Sequence, residues 1–527
     1  MRVAIVGAGV SGLSALWLLN EYSDHEVNIY EREDYPGGHT HTVEFKREGK
    51  ESCMVDTGFI VANPPTYPNF LRFLKLLKIP ILDTQMTFSV SRDRGAFEWA
   101  GDGLGALFCQ VGNLFNPRLY RMIFDIVRFN LFALDLLKEP LKDGKEISIG
   151  EYLDREGYGD GFKEDYLLPM TGAIWSTPAD QAALDFPAST LIRFFHNHHL
   201  LQLTGKPSWL TIKGGAKQYI DAVLSRLPKE NLHLNTEIVS VSSREDGVEL
   251  VEAGGARHIY DHVILATHSD TTLNMLKRGG LVTPEEEKVL APWGWSKNEA
   301  VLHWDDRFIP VRRKAYSAWN YLTSTSKPHR DAKTTDSEVD TVSLTYGMNI
   351  LQHLPESKYG LVLVTLNPPF PVDPAKTIGS WTYTHPMMTT TSVSTQPHLP
   401  SIQNKRNISY AGAWTKYGFH EDGFTSGMRL VTGAPFNVKP PFPLLPATRS
   451  TEQSGVGLAV GKGVVNALES SRRFLTPAWG VVEWTVVLGL VWLEQVFGAL
   501  GLDGTKIETR RVRDAWSGKV SAERKSQ

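Results

Sequence analysis

The sequence predicts an α/β fold, on three observations. The first 31 residues read as strand, glycine-rich turn, helix and strand; a second block of the same texture runs from Gly214 to Met275; and a late strand, Ile408–Ala411, passes through a glycine-rich turn into a helix near Gly423–Leu430. Apolar runs of strand length alternating with helix-period stretches mark a parallel sheet covered by helices.

Taken in order, Val3–Val6 is a short apolar run, and Leu13, Leu16, Leu18 and Leu19 follow at helical spacing before a second apolar run, Val27–Tyr30. The change of period separates strand from helix. Residues 66–82 and 115–141 are amphipathic with a helical period. The second block holds a helix over Ala216–Leu227, a strand containing Ile238, a hairpin at Asp246-Gly247 and the apolar strand His262–Ala266. Aromatic, strand-prone segments follow at 299–304, 315–321, 341–350 and 361–367, and the polar run Thr323–Asp340 reads as a surface loop. Past residue 433, proline-rich 435–446 and polar 447–463 read as linker. The cluster Gly455–Gly461 belongs to that linker, because no apolar strand precedes it and its spacing fits no phosphate loop. Trp479–Leu502 has the length of a membrane span, yet Glu483 and Glu494 leave only ten uncharged residues between them. A helix lying on a membrane surface or docked on the protein is expected for 479–502.

At 527 residues the chain exceeds one compact core, so two domains and a tail are expected. A formal net charge of -3 excludes the basic surface of a nucleic-acid binder and leaves small polar or lipid-like substrates open. Cys53 and Cys109 lack the spacing of a disulfide framework or a zinc ribbon, which points to a reducing compartment. The first strand begins directly after Met1 and Arg2, without the zones of a leader, so a cytoplasmic protein is expected, membrane-associated if 479–502 lies on a bilayer.

Gly7-Ala8-Gly9-Val10-Ser11-Gly12 closes the first strand and opens the first helix. There Gly7 permits the tight turn, Gly9 lets a pyrophosphate approach the backbone, and Gly12 lets the helix pack on the sheet. Val10 and Ser11 begin the helix whose N-terminus meets the negative charge. Glu31 ends the second strand nineteen residues after Gly12, followed by Arg32, where a carboxylate accepts from ribose hydroxyls. These features predict a Rossmann-like site for an ADP-containing dinucleotide. With no second nucleotide site, a bound flavin is favoured over exchanging NAD.

Gly37-Gly38 follows Glu31 by six residues, and a glycine pair lets backbone amides approach an anion. In the following His39-Thr40-His41 the two histidines alternate along extended chain and face opposite ways, so no metal is expected and His39 and Thr40 are read as cofactor contacts. Gly172–Pro178 reads as a turn exposing Trp175, which either lines a substrate pocket or is buried for packing. In the run Phe194–His199 the spacing puts His196 and His199 on one helical face, as hydrogen-bonded or pocket histidines. His420 adjoins the late glycine turn, either to handle a proton or to brace that turn.

Together these residues resemble the flavin-containing amine oxidase superfamily, with its phytoene-desaturase-like and protoporphyrinogen-oxidase-like members. More closely, the chain is similar to a group described as predicted NAD/FAD-binding proteins, through GGHTHTV, DTGFIVANPPTYPNF, FSVS, GAIWSTP, FFHNHHL, ATHSD, NEAVLHWD, WNY and YGFHEDGFTSG. The resemblance covers about residues 1–433. It implies noncovalent FAD in a discontinuous domain built from 1–80, 206–275 and 406–433, a substrate domain with a helical part at 81–205 and a sheet part at 276–405, and a tail over 434–527. It places Gly7, Gly9, Ser11 and Gly12 at the pyrophosphate, Glu31 at the ribose, and Gly38, His39 and Thr40 on the way to the flavin. Thr57, Gly58 and Phe59 run beside the isoalloxazine, Ile238 meets adenine, and Ala266-Thr267, Gly412 and Asp422-Gly423-Phe424 complete the site. Tyr417, Trp319, Asn320, Tyr346 and Asn349 are its pocket candidates. His39 stands where amine oxidases usually carry an arginine, Ala413-Trp414 where many carry an acid, and their flavin-facing lysine has no counterpart. The implied activity is hydride transfer from a substrate carbon to flavin N5, with reoxidation by oxygen or another acceptor. An amine is the default substrate; a lipid or polyene undergoing desaturation, saturation or isomerisation is the alternative. A non-catalytic, membrane-docked flavin-binding partner protein is the other class.

Overall fold

The structure, a computed structural model, describes residues 1–139, 146–175, 184–201, 208–280, 282–325, 339–447, 456–471 and 489. Its centre is a five-stranded, all-parallel sheet in the order Ile408–Tyr410, His262–Leu265, Arg2–Val6, Glu26–Tyr30, Leu232–His233. Val3, Ala4 and Ile5 are fully buried, as are Val263 and Ile264, because the first helix covers one face and a three-stranded sheet packs on the other, leaving no polar side to alternate with. Strand order reverses beside Arg2–Val6, and ligands of such sheets bind at the carboxyl ends of the strands flanking that reversal. The expected hairpin at Asp246-Gly247 joins Ile238–Arg244 to Gly247–Glu252 in a three-stranded antiparallel sheet.

A second, seven-stranded sheet runs Thr377–Pro386, Trp295–His303, Leu363–Leu366, Val339–Gly347, Trp319–Thr325, Phe88–Arg92, Phe97–Ala100. Its last two strands come from the stretch expected to be the helical part of the substrate domain. Helices also occur there. Pro117–Phe132 starts on Asn116, whose side chain accepts from the N–H groups of Arg118 and Leu119, with Pro117 at the first helical position.

Three expectations need correction. The polar linker read at 447–463 contains the start of a helix, Val456–Ser471, that lies on Pro117–Phe132, with Lys462 2.5 Å from Asp135 and Glu469 3.1 Å from Arg121. Gly461 serves close approach, since a Cβ there would already touch Leu131. The proline-rich segment before it is docked as well, burying Phe436, Val438 and Phe442 against the first domain. Gly172–Trp175 closes the helix Leu168–Trp175 and is not a turn, because the apolar residues before it extend the helix across the glycine. His199 lies beyond the helix Ala188–Asn197, in the left-handed region at φ 58°, so His196 and His199 do not share a helical face. The side chain of Trp175, residues 176–183 and the stretch 479–502 apart from Gly489 lie outside the described residues. Among the described residues no helix is long and apolar enough to cross a membrane.

The helix His420–Thr432 ties the early and late chain together through Glu421. Its buried carboxylate accepts from Asn69 N at 3.1 Å, Asn69 Nδ2 at 2.7 Å and Phe70 N at 2.9 Å, at the start of the helix Pro68–Leu76. Burial raises its pKa to about 8, against the three N–H donors, which favour the anion. Glu421→Ala removes the acceptor from three buried donors and is expected to lower unfolding free energy by roughly 2–4 kcal/mol, with Glu421→Gln less damaging, as denaturant titration would measure.

Candidate functional site

The crevice at the sheet reversal is shaped by backbone contacts that only glycine permits. Gly7 adopts φ 102° and donates to Tyr30 O at 2.8 Å; a Cβ there would fall 2.7 Å from Ala266 O. At Gly12 a Cβ would stand 2.0 Å from Gly7 O, so the first helix meets the turn with no side chain between them. Gly9 is different: nothing lies within 4 Å of a Cβ built there, and its free face is the cavity wall. Gly37 N–H donates to Ala8 O at 2.8 Å, and Gly38 packs on Gly9, so the glycine pair closes the crevice over the turn.

A cavity of about 300 Å³ occupies this crevice. Gly9, Val10, Ser11, Gly38, His39, Thr40, Thr57, Gly58 and Phe59 contribute to it from the early chain. Ala266, Thr267 and His268 come from the middle of the chain, Gly412, Ala413, Trp414, Phe419 and His420 from its late part. Trp295, Trp319, Tyr346, Tyr383 and His385 of the seven-stranded sheet region cover the opening. Thr57–Phe59 runs antiparallel to His39–His41, with Phe59 N–H on His39 O and Thr57 N–H on His41 O, both at 2.9 Å.

Other predicted residues stand behind this wall. Glu31 accepts from Ala8 N at 2.9 Å and Glu33 N at 3.1 Å, which fixes its carboxylate beside the turn. Arg32 is exposed and pairs with Glu33 at 3.0 Å. Ile238 is buried at the start of its strand, while Thr236 N–H reaches the backbone carbonyl of Glu31 at 2.8 Å and so ties the chain before that strand to Glu31. Asp422 accepts from Phe419 N at 3.1 Å and steadies the start of the late helix. Gly423 admits Val10 and Ser11 to close contact, and Phe424 is core. The late helix therefore presents His420, preceded by Phe419, to the cavity.

His420 is tied into the wall by stacking and a hydrogen bond. Its ring stacks on Phe59 at 3.8 Å, and its Nε2 lies 3.1 Å from Tyr219 OH, which is 2.9 Å from Thr40 Oγ1. Burial pushes its pKa down to about 3, so it is neutral near pH 7. Trp319 meets Tyr346 edge-on at 5.3 Å, whereas Asn320 and Asn349 spend their amides on backbone groups.

Sequence reasoning missed His268, His385, Trp295 and Tyr383. His268 stacks on Trp295 at 3.9 Å and follows Ala266-Thr267 directly, a position that the strand-end pattern marks. Nothing in the sequence signals His385, since strand pairing alone carries it to the crevice. Among the described residues lining the cavity there is no Asp, Glu, Lys or Arg, and no cluster suited to a metal ion occurs.

FAD fits the residues present. The open face of Gly9 leaves room for a group against bare backbone, and two indole N–H groups on the cavity, Trp414 Nε1 and Trp319 Nε1, are buried without a hydrogen-bond partner. The early turn, the segment 57–59 and the Gly412–His420 turn would hold it.

A family model described as flavin containing amine oxidoreductase matches residues 10–432. The chain is 24% identical over 330 residues to the flavin-dependent L-tryptophan oxidase RebO of Lentzea aerocolonigenes, covering 58% of this chain and 66% of that protein. It is 22% identical over 299 residues to coproporphyrinogen III oxidase of Staphylococcus aureus, covering 52% of this chain and 61% of that one. It thus spans less than two thirds of either relative. Similar solved structures include a CLA-producing fatty acid isomerase from P. acnes, with a TM-score of 0.57, 15% identity and coverage of 82% of this chain and 98% of that one. A putrescine oxidase variant has a TM-score of 0.55 at 13% identity, covering 81% of this chain and 97% of that one.

Two glycine substitutions separate site from scaffold. Gly9→Val places its side chain in open space and should give folded protein that lacks flavin colour; Gly12→Val drives a Cβ into Gly7 O and should abolish soluble expression. Circular dichroism and the visible spectrum of the purified proteins check both, and a folded, fully yellow Gly9→Val contradicts the placement of the cofactor.

Proposed function

Because the chain belongs to the flavin containing amine oxidoreductase family, we propose that it is an FAD-dependent oxidoreductase acting on an uncharged, lipid-like substrate. Bound FAD supplies the two-electron acceptor for a hydride leaving a substrate carbon. The observation that carries the substrate class is the cavity wall. An ammonium group entering there meets no carboxylate, and a charge left unpaired in such surroundings is costly. A hydrocarbon segment meets Phe59, Trp295, Trp319, Tyr346 and Leu366, which bury it without that cost. The fold shared with a fatty acid isomerase agrees with this reading.

The chain's own part is alignment and exclusion of water. Trp319 and Tyr346 set a perpendicular aromatic corner, and the stacked pairs His268–Trp295 and Phe59–His420 provide two flat faces. Catalysis by such a site comes from holding the reacting carbon in place. Neutral His420, its Nε2 engaged by Tyr219 OH with Thr40 Oγ1 behind, stands at the cavity edge where its ring can take up or return a proton.

A second reading, an amine substrate, follows from the tryptophan oxidase and putrescine oxidase relatives. It requires the amine to enter deprotonated, since the wall offers the cation nothing.

Mixed anaerobically with unsaturated fatty acyl lipids, the yellow holoprotein should bleach, and with charged amines it should not. Bleaching by amines alone overturns the substrate class, and no bleaching by either removes the oxidoreductase reading. His420→Asn should keep its FAD and slow the bleaching by roughly 100-fold, the usual scale of one acid–base group. An unchanged rate in stopped-flow measurement would leave His420 a brace only.

A further inference from the structure

We propose that His39 and His268 form a titratable counter-charge for FAD, so that binding of the cofactor takes up a proton onto this pair. The proposal rests on the reading of the cavity as the FAD site.

FAD carries a pyrophosphate, and an anion leaving water needs compensation. Backbone amides at the glycine turn and the first helix N-terminus supply part of it. A fixed cation does not: the cavity is lined by no arginine or lysine among the described residues. Imidazoles stand there instead. His39 follows the glycine pair directly, and His268 directly precedes the helix Ser269–Arg278 without a side-chain hydrogen bond to it; their ring centres lie 6.4 Å apart across the crevice.

The groups facing the pair can be named. His385 lies 5.0 Å from His39, and Tyr383 lies 5.1 Å from it. His420 feels the field of His39, and exposed Arg32 acts on His268. Tyr383 is held protonated by burial, so no negative charge comes from it. His385 is not the proton acceptor, because Asn298 Nδ2 donates to its Nδ1 at 3.0 Å while Asn298 Oδ1 accepts from Asn367 at 2.7 Å. That arrangement fixes His385 as the tautomer whose Nε2–H is free to donate. His39 and His268 carry no such lock.

Burial lowers His39 to about 4; burial, then His39 and Arg32, lower His268 to about 3. Both are therefore neutral near pH 7 before an anion arrives. A negative charge nearby raises the pKa of whichever ring it faces. A group whose pKa is higher in the complex strengthens binding at low pH, and that gain disappears as pH rises through its value in the complex. The window thus opens near pH 4 and extends upward to the pKa reached in the complex.

The test uses holoprotein diluted at a series of pH values between the acid limit of folding, set by circular dichroism, and alkaline pH; released FAD is read by its fluorescence. Wild-type affinity should rise as pH falls, by up to about tenfold per pH unit where one proton is linked. The double variant His39→Gln/His268→Gln should hold FAD more weakly at low pH and show no slope. A flat wild-type profile overturns the proposal, and so does a double variant that keeps the wild-type slope. Should the double variant hold no FAD, the single variants decide: a reduced slope in either supports the pair, and the wild-type slope in both overturns it. Wild type that is colourless at every pH would instead remove the FAD reading itself.

Discussion

The site exists because two helices from opposite ends of the chain touch at backbone distance. Gly423 and Gly427 of the late helix lie on the first helix so closely that a Cβ on Gly427 would stand 2.1 Å from Ser11 O, and one on Gly423 would stand 2.6 Å from Val10 Cγ1. Any larger residue would hold the helices apart. Their contact brings the Gly412–His420 turn over the glycine turn of residues 7–12, and the parallel sheet below aligns the strand ends that feed both. The cavity is the space left between them.

Around that space the chain separates its charges from its chemistry. Carboxylates near the site are all engaged: Glu421 with Asn69 and Phe70, Asp422 with Phe419, Glu31 with two backbone amides. Asp56 is buried with Thr42, Ala216 and Gln352, where burial raises its pKa to about 7, and it joins the early hairpin to the second block and the seven-stranded sheet region. What faces the cavity among the described residues is glycine backbone, hydroxyl, aliphatic, aromatic and imidazole groups, with no charged side chain. Low local dielectric keeps those imidazoles neutral and makes the site responsive to the charge of what enters it.

The seven-stranded sheet supplies the cover. Its strands run from the crevice, where Trp319, Tyr346 and Leu366 stand, and its partner strand Thr377–Pro386 ends at the crevice with Tyr383 and His385. A parallel sheet below and a mixed, largely antiparallel one above give one cavity two independent walls.

The sequence alone determined the parallel sheet, its glycine turn and the segments that meet at the crevice. Val3–Val6, Gly7–Gly12 and Glu31 act within one short βαβ unit, where local spacing dictates geometry. The strand His262–Leu265 and the turn before His420 were legible for the same reason. Tertiary structure decided what spacing cannot express. The helix Val456–Ser471 took shape on a partner more than three hundred positions earlier, and Gly461 looks like linker until Leu131 is beside it. Asp422, Gly423 and Phe424 proved to cap, to pack and to fill the core, because the late helix is turned by its contact with the first. His385 reached the crevice through strand pairing with Trp295–His303, and His268 met His39 only when the sheet closed. Local sequence sets which way a chain turns; which side chains then share a cavity depends on contacts between segments whose separation no spacing rule can span.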